Sequence, residues 1–155
     1  MDMTKTQTYR LLLQQLDGLL SMETDPVANM ANMAALLFNE IENLNWAGFY
    51  VLRENTLVLG PFQGKPACVR IPLGKGVCGT AAQTGQTQRV ANVHEFAGHI
   101  ACDSASNSEI VIPIFKQGHV WGVLDIDSPR LARFGEEEQA FFEKAAALFT
   151  AKSAL

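Results

Sequence analysis

Apolar and polar positions change rhythm along this chain, and each change marks a different kind of element. From Tyr9 to Leu20 the run YRLLLQQLDGLL sets apolar side chains at helical intervals, with Gly18 as a potential break. A second helix is more clearly bounded. Thr24 or Asp25 can cap it, Pro26 suits its first turn, and Val27, Met30, Ala34, Leu37, Ile41 and Leu44 then fall on one face. After Asn45 the period shortens: WAGFYVL and TLVLGPF are rich in aromatic and β-branched residues, and the polar RENT between them predicts a hairpin. A short strand is expected at 69–71, a brief helix inside GKGVCGTAAQTG and an extended segment in TQRVANV. Strands follow at 109–115 and in HVWGVLDIDS, and the stretch from RFGEEEQ onward forms a closing helix with acids in its first turn, where the helix dipole favours them.

This order predicts an α+β fold: a central antiparallel sheet, N- and C-terminal helices on one face, and pocket-forming loops over the other. One domain is expected over residues 1–155, with its core at about 9–149. The connection 93–108 has little periodicity and exceeds the usual loop length, which marks it as a site loop.

Alternation within the last two strands brings acids together. Ile110, Ile112 and Ile114 share one face, Glu109, Val111, Pro113 and Phe115 the other. In the following strand Val120, Gly122, Leu124 and Ile126 share a face, opposite Trp121, Val123, Asp125 and Asp127. A three-residue loop at Lys116-Gln117-Gly118 pairs Phe115 with His119 and sets Glu109 opposite Asp125, with Asp127 one step along the same face. A two-residue turn at Gln117-Gly118 pairs Glu109 with Ile126 and mixes polar with apolar, so the longer loop is expected. Carboxyls this close cannot all ionise comfortably, and one holds a proton for use as a general acid. The competing reading makes them solvated charges at strand ends.

Composition narrows the function. The net charge of −4 and the scattered 12 Lys and Arg give no electrostatic footprint for nucleic acid, so a small-molecule ligand is expected. No apolar run is long enough for a membrane span, and MDMTKTQTYR lacks the order of a signal peptide; a soluble, cytoplasmic protein is expected. Three cysteines, Cys68, Cys78 and Cys102, match no paired metal spacing, and His94 and His99 do not repair that, so no metal is expected.

A lone cysteine is more often a small buried hydrophobe than a nucleophile. Cys102 lies in the polar site loop, where turn amides can stabilise a thiolate, and only a few residues before Glu109. Cys68 sits in a second Gly/Pro-containing loop and can serve as its partner thiol; Cys78, opening an apolar helix, is expected to be the most buried. One nucleophilic thiol, one resolving thiol and acids able to donate protons form a consistent set for a thiol-based reductase. Trp46 and Tyr50 share a strand face and either wall an apolar pocket or pack in the core. His99 either tunes Cys102 or is an ordinary loop histidine.

Taken together, WAGFYVL, LVLGPFQGKPACVRIPLGKGVCGTAA, HIACDSASNSEIVIPI and GVLDIDS resemble the free methionine-(R)-sulfoxide reductase family, a GAF fold, from about Tyr9 to Phe149. The resemblance implies that Cys102 attacks the sulfoxide, Cys68 resolves the product through a disulfide, and Cys78 is a third family cysteine of less settled role. It implies that Glu109, Asp125 and Asp127 line the substrate pocket with Trp46 and Tyr50 as its aromatic wall. It further implies a thioredoxin-like external reductant, no metal or organic cofactor, and a homodimer. Two rivals follow from the fold: a GAF sensor that binds a small molecule without turnover, and a redox-sensing dimerisation module.

Overall fold

The computed structural model describes residues 2–99 and 103–155. Helices α1 (Lys5–Leu20) and α2 (Pro26–Glu40) come first, followed by strands β1 (Trp46–Arg53), β2 (Thr56–Gly64) and β3 (Arg70–Pro72). Next come α3 (Gly76–Thr84) and β4 (Gln88–Val90), a 3-10 turn at Val93–Glu95, then β5 (Ser108–Lys116), β6 (His119–Ser128) and α4 (Glu136–Lys152). The strands form one antiparallel six-stranded sheet in the order β3-β2-β1-β6-β5-β4.

Two apolar layers flank it. Leu12, Leu16 and Leu20 of α1, Met30, Met33 and Leu37 of α2, and Phe141, Phe142 and Phe149 of α4 pack with Phe49, Ile110, Ile112, Ile114, Leu124 and Ile126 of the sheet. Each such large side chain, once fully buried, contributes roughly 1.5–3 kcal/mol. Across the sheet, α3 closes a smaller layer of Trp46, Tyr50, Leu57, Ile71, Val77, Cys78, Val111 and Val123. The expected division, helices on one face and a loop-covered pocket on the other, is therefore the observed one, with α3 added to the pocket side.

Local departures have local causes. Helix α1 starts at Lys5 rather than Tyr9, because Thr4 and Gln7 form a capping box, and it runs through Gly18 unbroken. Asp25 caps α2 through the Ala28 N–H. Val27, expected on its buried face, is 59% exposed. The first turn instead buries Asn29, two residues on and about 200° round the helix, whose amide donates to the Glu23 carbonyl and to Ser153 Oγ.

The hairpin between β5 and β6 corrects the expected register. Gln117 and Gly118 both adopt positive φ, 51° and 81°, forming a two-residue turn that pairs Lys116 with His119. The polar-apolar conflict expected of that turn is removed by a bulge: Phe115 pairs with Val120 but Ile114 pairs with Gly122, leaving Trp121 as the extra residue. Beyond the bulge Glu109 lies opposite Asp127, not Asp125, which faces Val111. The bulge also exchanges two side chains between faces. Trp121 joins the helical layer, its ring 5.7 Å from Phe149, while Val120 packs on the pocket side. At Gly122 a Cβ has no room, because the Tyr50 carbonyl of β1 occupies its place.

Candidate active site

The bulge restores the alternation that Glu109, Asp125 and Asp127 need to reach one cavity of about 50 Å³. Trp46, Tyr50 and Cys78 line it with them, and the wall is completed by residues not singled out from the sequence, among them Lys75, Asp103 and Ser106. His99 also lines it. These positions come from β1, α3, β5, β6 and the site loop, so no local spacing announces them together.

Burial dominates the electrostatics. Glu109 and Asp125 are 8% and 5% exposed, and the Cys78 thiol, 4% exposed, donates to Glu109 Oε2 at 4.0 Å. Loss of solvent raises the pKa of all three carboxyls, but not evenly. Glu109 is held well above the ordinary range by burial, then by the charges of Asp125 and Asp127. Asp127 is likewise held well above it by burial and by the Asp125 charge, with Asp103 adding to the effect. Asp125 is raised by burial, yet hydrogen bonds from Glu109, Cys78 and Asp127 oppose the rise. The cluster therefore resists full ionisation and holds protons that isolated carboxyls would have lost, with Asp125 the acid whose charge its neighbours' hydrogen bonds favour. Burial, then the charges of Asp125 and Glu109, raises the Cys78 thiol too, so it is a neutral donor rather than a nucleophile. Asp125 Oδ1 and Asp127 Oδ1 are buried with no hydrogen-bond partner among the described residues, leaving acceptors for a bound molecule.

Cys78, Glu109 and Asp125 also bring one potential metal-ligand atom each within 4.8 Å of one another. The expectation of no metal rests on spacing along the chain, and this trio is assembled across elements, where spacing is blind.

Trp46 and Tyr50 combine the two roles left open for them. Their rings stack 6.0 Å apart at the cavity, and each also donates a hydrogen bond to the loop that carries Cys68. Trp46 Nε1 donates to the Lys65 carbonyl at 3.1 Å, and the Tyr50 hydroxyl donates to the Cys68 carbonyl at 2.8 Å. Burial, then the charges of Asp125 and Cys78, raises the Tyr50 pKa, so the hydroxyl keeps its proton. Cys68 is half-buried and held in a disulfide, whereas Cys78 is a free thiol. Cys102, expected as the nucleophile, lies outside the described residues.

The flanks of the site loop are anchored. Val93 N–H donates to the Asn107 carbonyl at 2.9 Å, and Asn107 N–H to the Ser128 carbonyl at 2.8 Å. The Asn107 side chain meets His94 Nε2 at 3.0 Å and donates to the Pro129 carbonyl at 2.7 Å. Burial, then the nearby His94, lowers the His99 pKa, which leaves a neutral imidazole on the cavity wall.

The sequence matches the GAF domain family over residues 11–151. It is 54% identical over 137 residues to the free methionine-R-sulfoxide reductase of Escherichia coli (strain K12), covering 88% of this chain and 83% of that protein. It is 44% identical over 155 residues to the enzyme of the same name from Saccharomyces cerevisiae, covering 95% and 86%. The solved structure of free methionine-R-sulfoxide reductase from Neisseria meningitidis in complex with its substrate superposes with a TM-score of 0.94 at 43% identity, over 98% of this chain and 92% of that one. Likeness of this depth along nearly the whole length goes far beyond a shared fold, and the chain belongs to the free methionine-R-sulfoxide reductase family, oxidoreductases built on a GAF domain.

Proposed function

We propose that this protein reduces the R-sulfoxide of free methionine to methionine, with Cys102 as nucleophile, Cys68 as resolving thiol and the buried acids as proton donors. The observation that carries this reading is the convergence of Glu109, Asp125, Asp127 and Cys78 on one cavity, where burial raises the pKa of all three acids.

Cys102 thiolate attacks the sulfoxide sulfur while Glu109 or Asp127 protonates the oxygen, because an unprotonated oxide is a poor leaving group. The protonated oxygen then passes from the substrate sulfur to the Cys102 sulfur as the bond between the two sulfurs breaks, leaving Cys102 as a sulfenic acid and methionine two electrons reduced. Cys68 attacks that sulfenic sulfur, expelling water and closing a disulfide. A thioredoxin-like dithiol in the cytoplasm then returns both thiols, becoming a disulfide itself. The disulfide held by Cys68 supports its part in this cycle.

Recognition of a free amino acid follows from charge. Asp125, whose charge is favoured by hydrogen bonds from Glu109, Cys78 and Asp127, takes the substrate ammonium. The substrate carboxylate binds at the start of α3, which no side chain caps and whose Gly76 and Val77 line the cavity. Trp46 and Tyr50 enclose the methyl sulfoxide. A cavity this small excludes methionine sulfoxide within a protein, so an intact oxidised protein should be a poor substrate. In this reading two copies associate as a homodimer, which light scattering tests.

The deciding experiment is single-turnover reduction of separate R and S isomers by prereduced protein without added reductant. About one methionine per chain from the R isomer, with two thiols lost, supports the reading; none from either isomer favours a GAF sensor. A finer expectation concerns Tyr50→Phe, which removes the hydroxyl that holds the Cys68 carbonyl. Disulfide formation should slow by roughly tenfold, the scale of one lost hydrogen bond, while the first methionine forms at close to the normal rate. Quench-flow counting of methionine against free thiols checks it.

A further inference from the structure

We infer that Asn45 is a positioning residue for this reaction, its amide fixing the segment that follows Cys102 against the acid-bearing end of the sheet. The inference rests on the reading above, in which Cys102 attacks the sulfoxide.

Asn45 immediately precedes β1, and its backbone N–H donates to the Asp127 carbonyl at 3.0 Å. Its next neighbour, Trp46, pairs with Asp127 in the sheet. The residue is thus fixed by its main chain to the strand that carries two of the acids. Its side chain reaches the other way. Nδ2 donates to Asp103 Oδ2 at 3.0 Å and to Ser106 Oγ at 2.9 Å, and both partners line the cavity. Those two residues already form a local turn, for Asp103 Oδ1 accepts the Ala105 N–H at 2.8 Å and the Asp103 carbonyl accepts the Ser106 N–H at 3.2 Å. One amide therefore hangs a preformed turn on the sheet, and Asp103 is the residue next to Cys102 in the chain.

The unused half of the amide points the same way. Asn45 Oδ1 is buried and has no hydrogen-bond partner among the described residues, although leaving a buried acceptor unpaired is unfavourable. Among the described residues both donors are engaged and the acceptor is not, so the position is occupied for its donors. Turning the amide over sets an oxygen against the Asp103 carboxylate, which fixes the orientation.

The test exchanges donor and acceptor. Asn45→Asp and Asn45→Ala both remove the donors. Asn45→Asp combined with Asp103→Asn restores one, because the amide now at position 103 can donate to the carboxylate now at position 45 while its oxygen still accepts the Ala105 N–H. The Ser106 hydroxyl can turn to donate to that carboxylate as well. Each protein is prereduced and given saturating R-sulfoxide, and the rate of the first methionine is measured beside a thermal melt. The expected result is a fall of about tenfold to a hundredfold in both single variants, the scale of a misplaced reacting group, with recovery to within a few-fold in the exchanged pair. A wild-type rate in either single variant, or a folded exchanged pair that stays slow, overturns the inference. Failure of the unmodified protein to form methionine overturns instead the reading on which it rests.

Discussion

Replacing Cys102 by serine should abolish methionine formation, whereas replacing Cys68 by serine should leave a single turnover and then a stall. The asymmetry follows from the order of the thiol chemistry. In the proposed order only the first cysteine meets the sulfoxide, and a serine hydroxyl there lacks both the nucleophilicity and the stability as an oxygen acceptor that the step requires. Loss of a nucleophile lowers turnover by about four orders of magnitude or more. In that order Cys68 enters after methionine has left. Its replacement should preserve about one methionine per chain and strand Cys102 as a sulfenic acid, to be trapped by a sulfenic-acid-specific carbon nucleophile and read by mass spectrometry. In the unmodified chain, three thiols before the reaction should become one after it, the survivor being Cys78, whose burial and raised pKa keep it out of exchange. Equal and complete loss of the first turnover in both variants sinks this division of labour.

Much of this site is legible from alternation alone. Because a strand turns its side chains over every residue, Glu109 with Val111, and Val123 with Asp125 and Asp127, can be assigned to the pocket side without coordinates, and all occupy it. The register is not legible, because the turn and the bulge compensate each other. The polar-apolar conflict of a two-residue turn points to a longer loop, whereas the chain keeps the short turn and inserts Trp121 as an unpaired residue. The conflict is real, and its remedy lies several residues away. Asn45 is silent for a different reason: an asparagine before a strand gives no sign of the distant residues its amide will reach, here Asp103 and Ser106. The hydrogen bonds of Trp46 and Tyr50 are hidden in the same way, since the carbonyls of Lys65 and Cys68 are invisible in a pattern of side chains.

Neutralising the acids should slow the reaction while easing the fold, and the opposite signs make the result diagnostic. Glu109→Gln and Asp127→Asn remove protons from the oxygen's leaving path, so the first-turnover rate should drop by about 10²–10⁴-fold, the range of a lost general acid. Asp125→Asn removes the charge assigned to the substrate ammonium and should appear chiefly as a raised KM. Stability follows from linkage. Glu109 and Asp127 have folded pKa values well above their ordinary ones, so as pH rises from the ordinary carboxylate range the unfolded chain loses these protons first. Their contribution to stability is complete below that range, about pH 4, and is lost as pH climbs through the raised values. Melting temperature should therefore decline with rising pH in the unmodified protein, and less steeply in either neutral variant. The catalytic rate should fall over the high end of the same window, because the donor must still carry its proton. A variant that loses both rate and stability at every pH has been damaged in its packing; one that loses rate while the pH dependence of its melting temperature flattens has lost a proton that the fold was strained to keep.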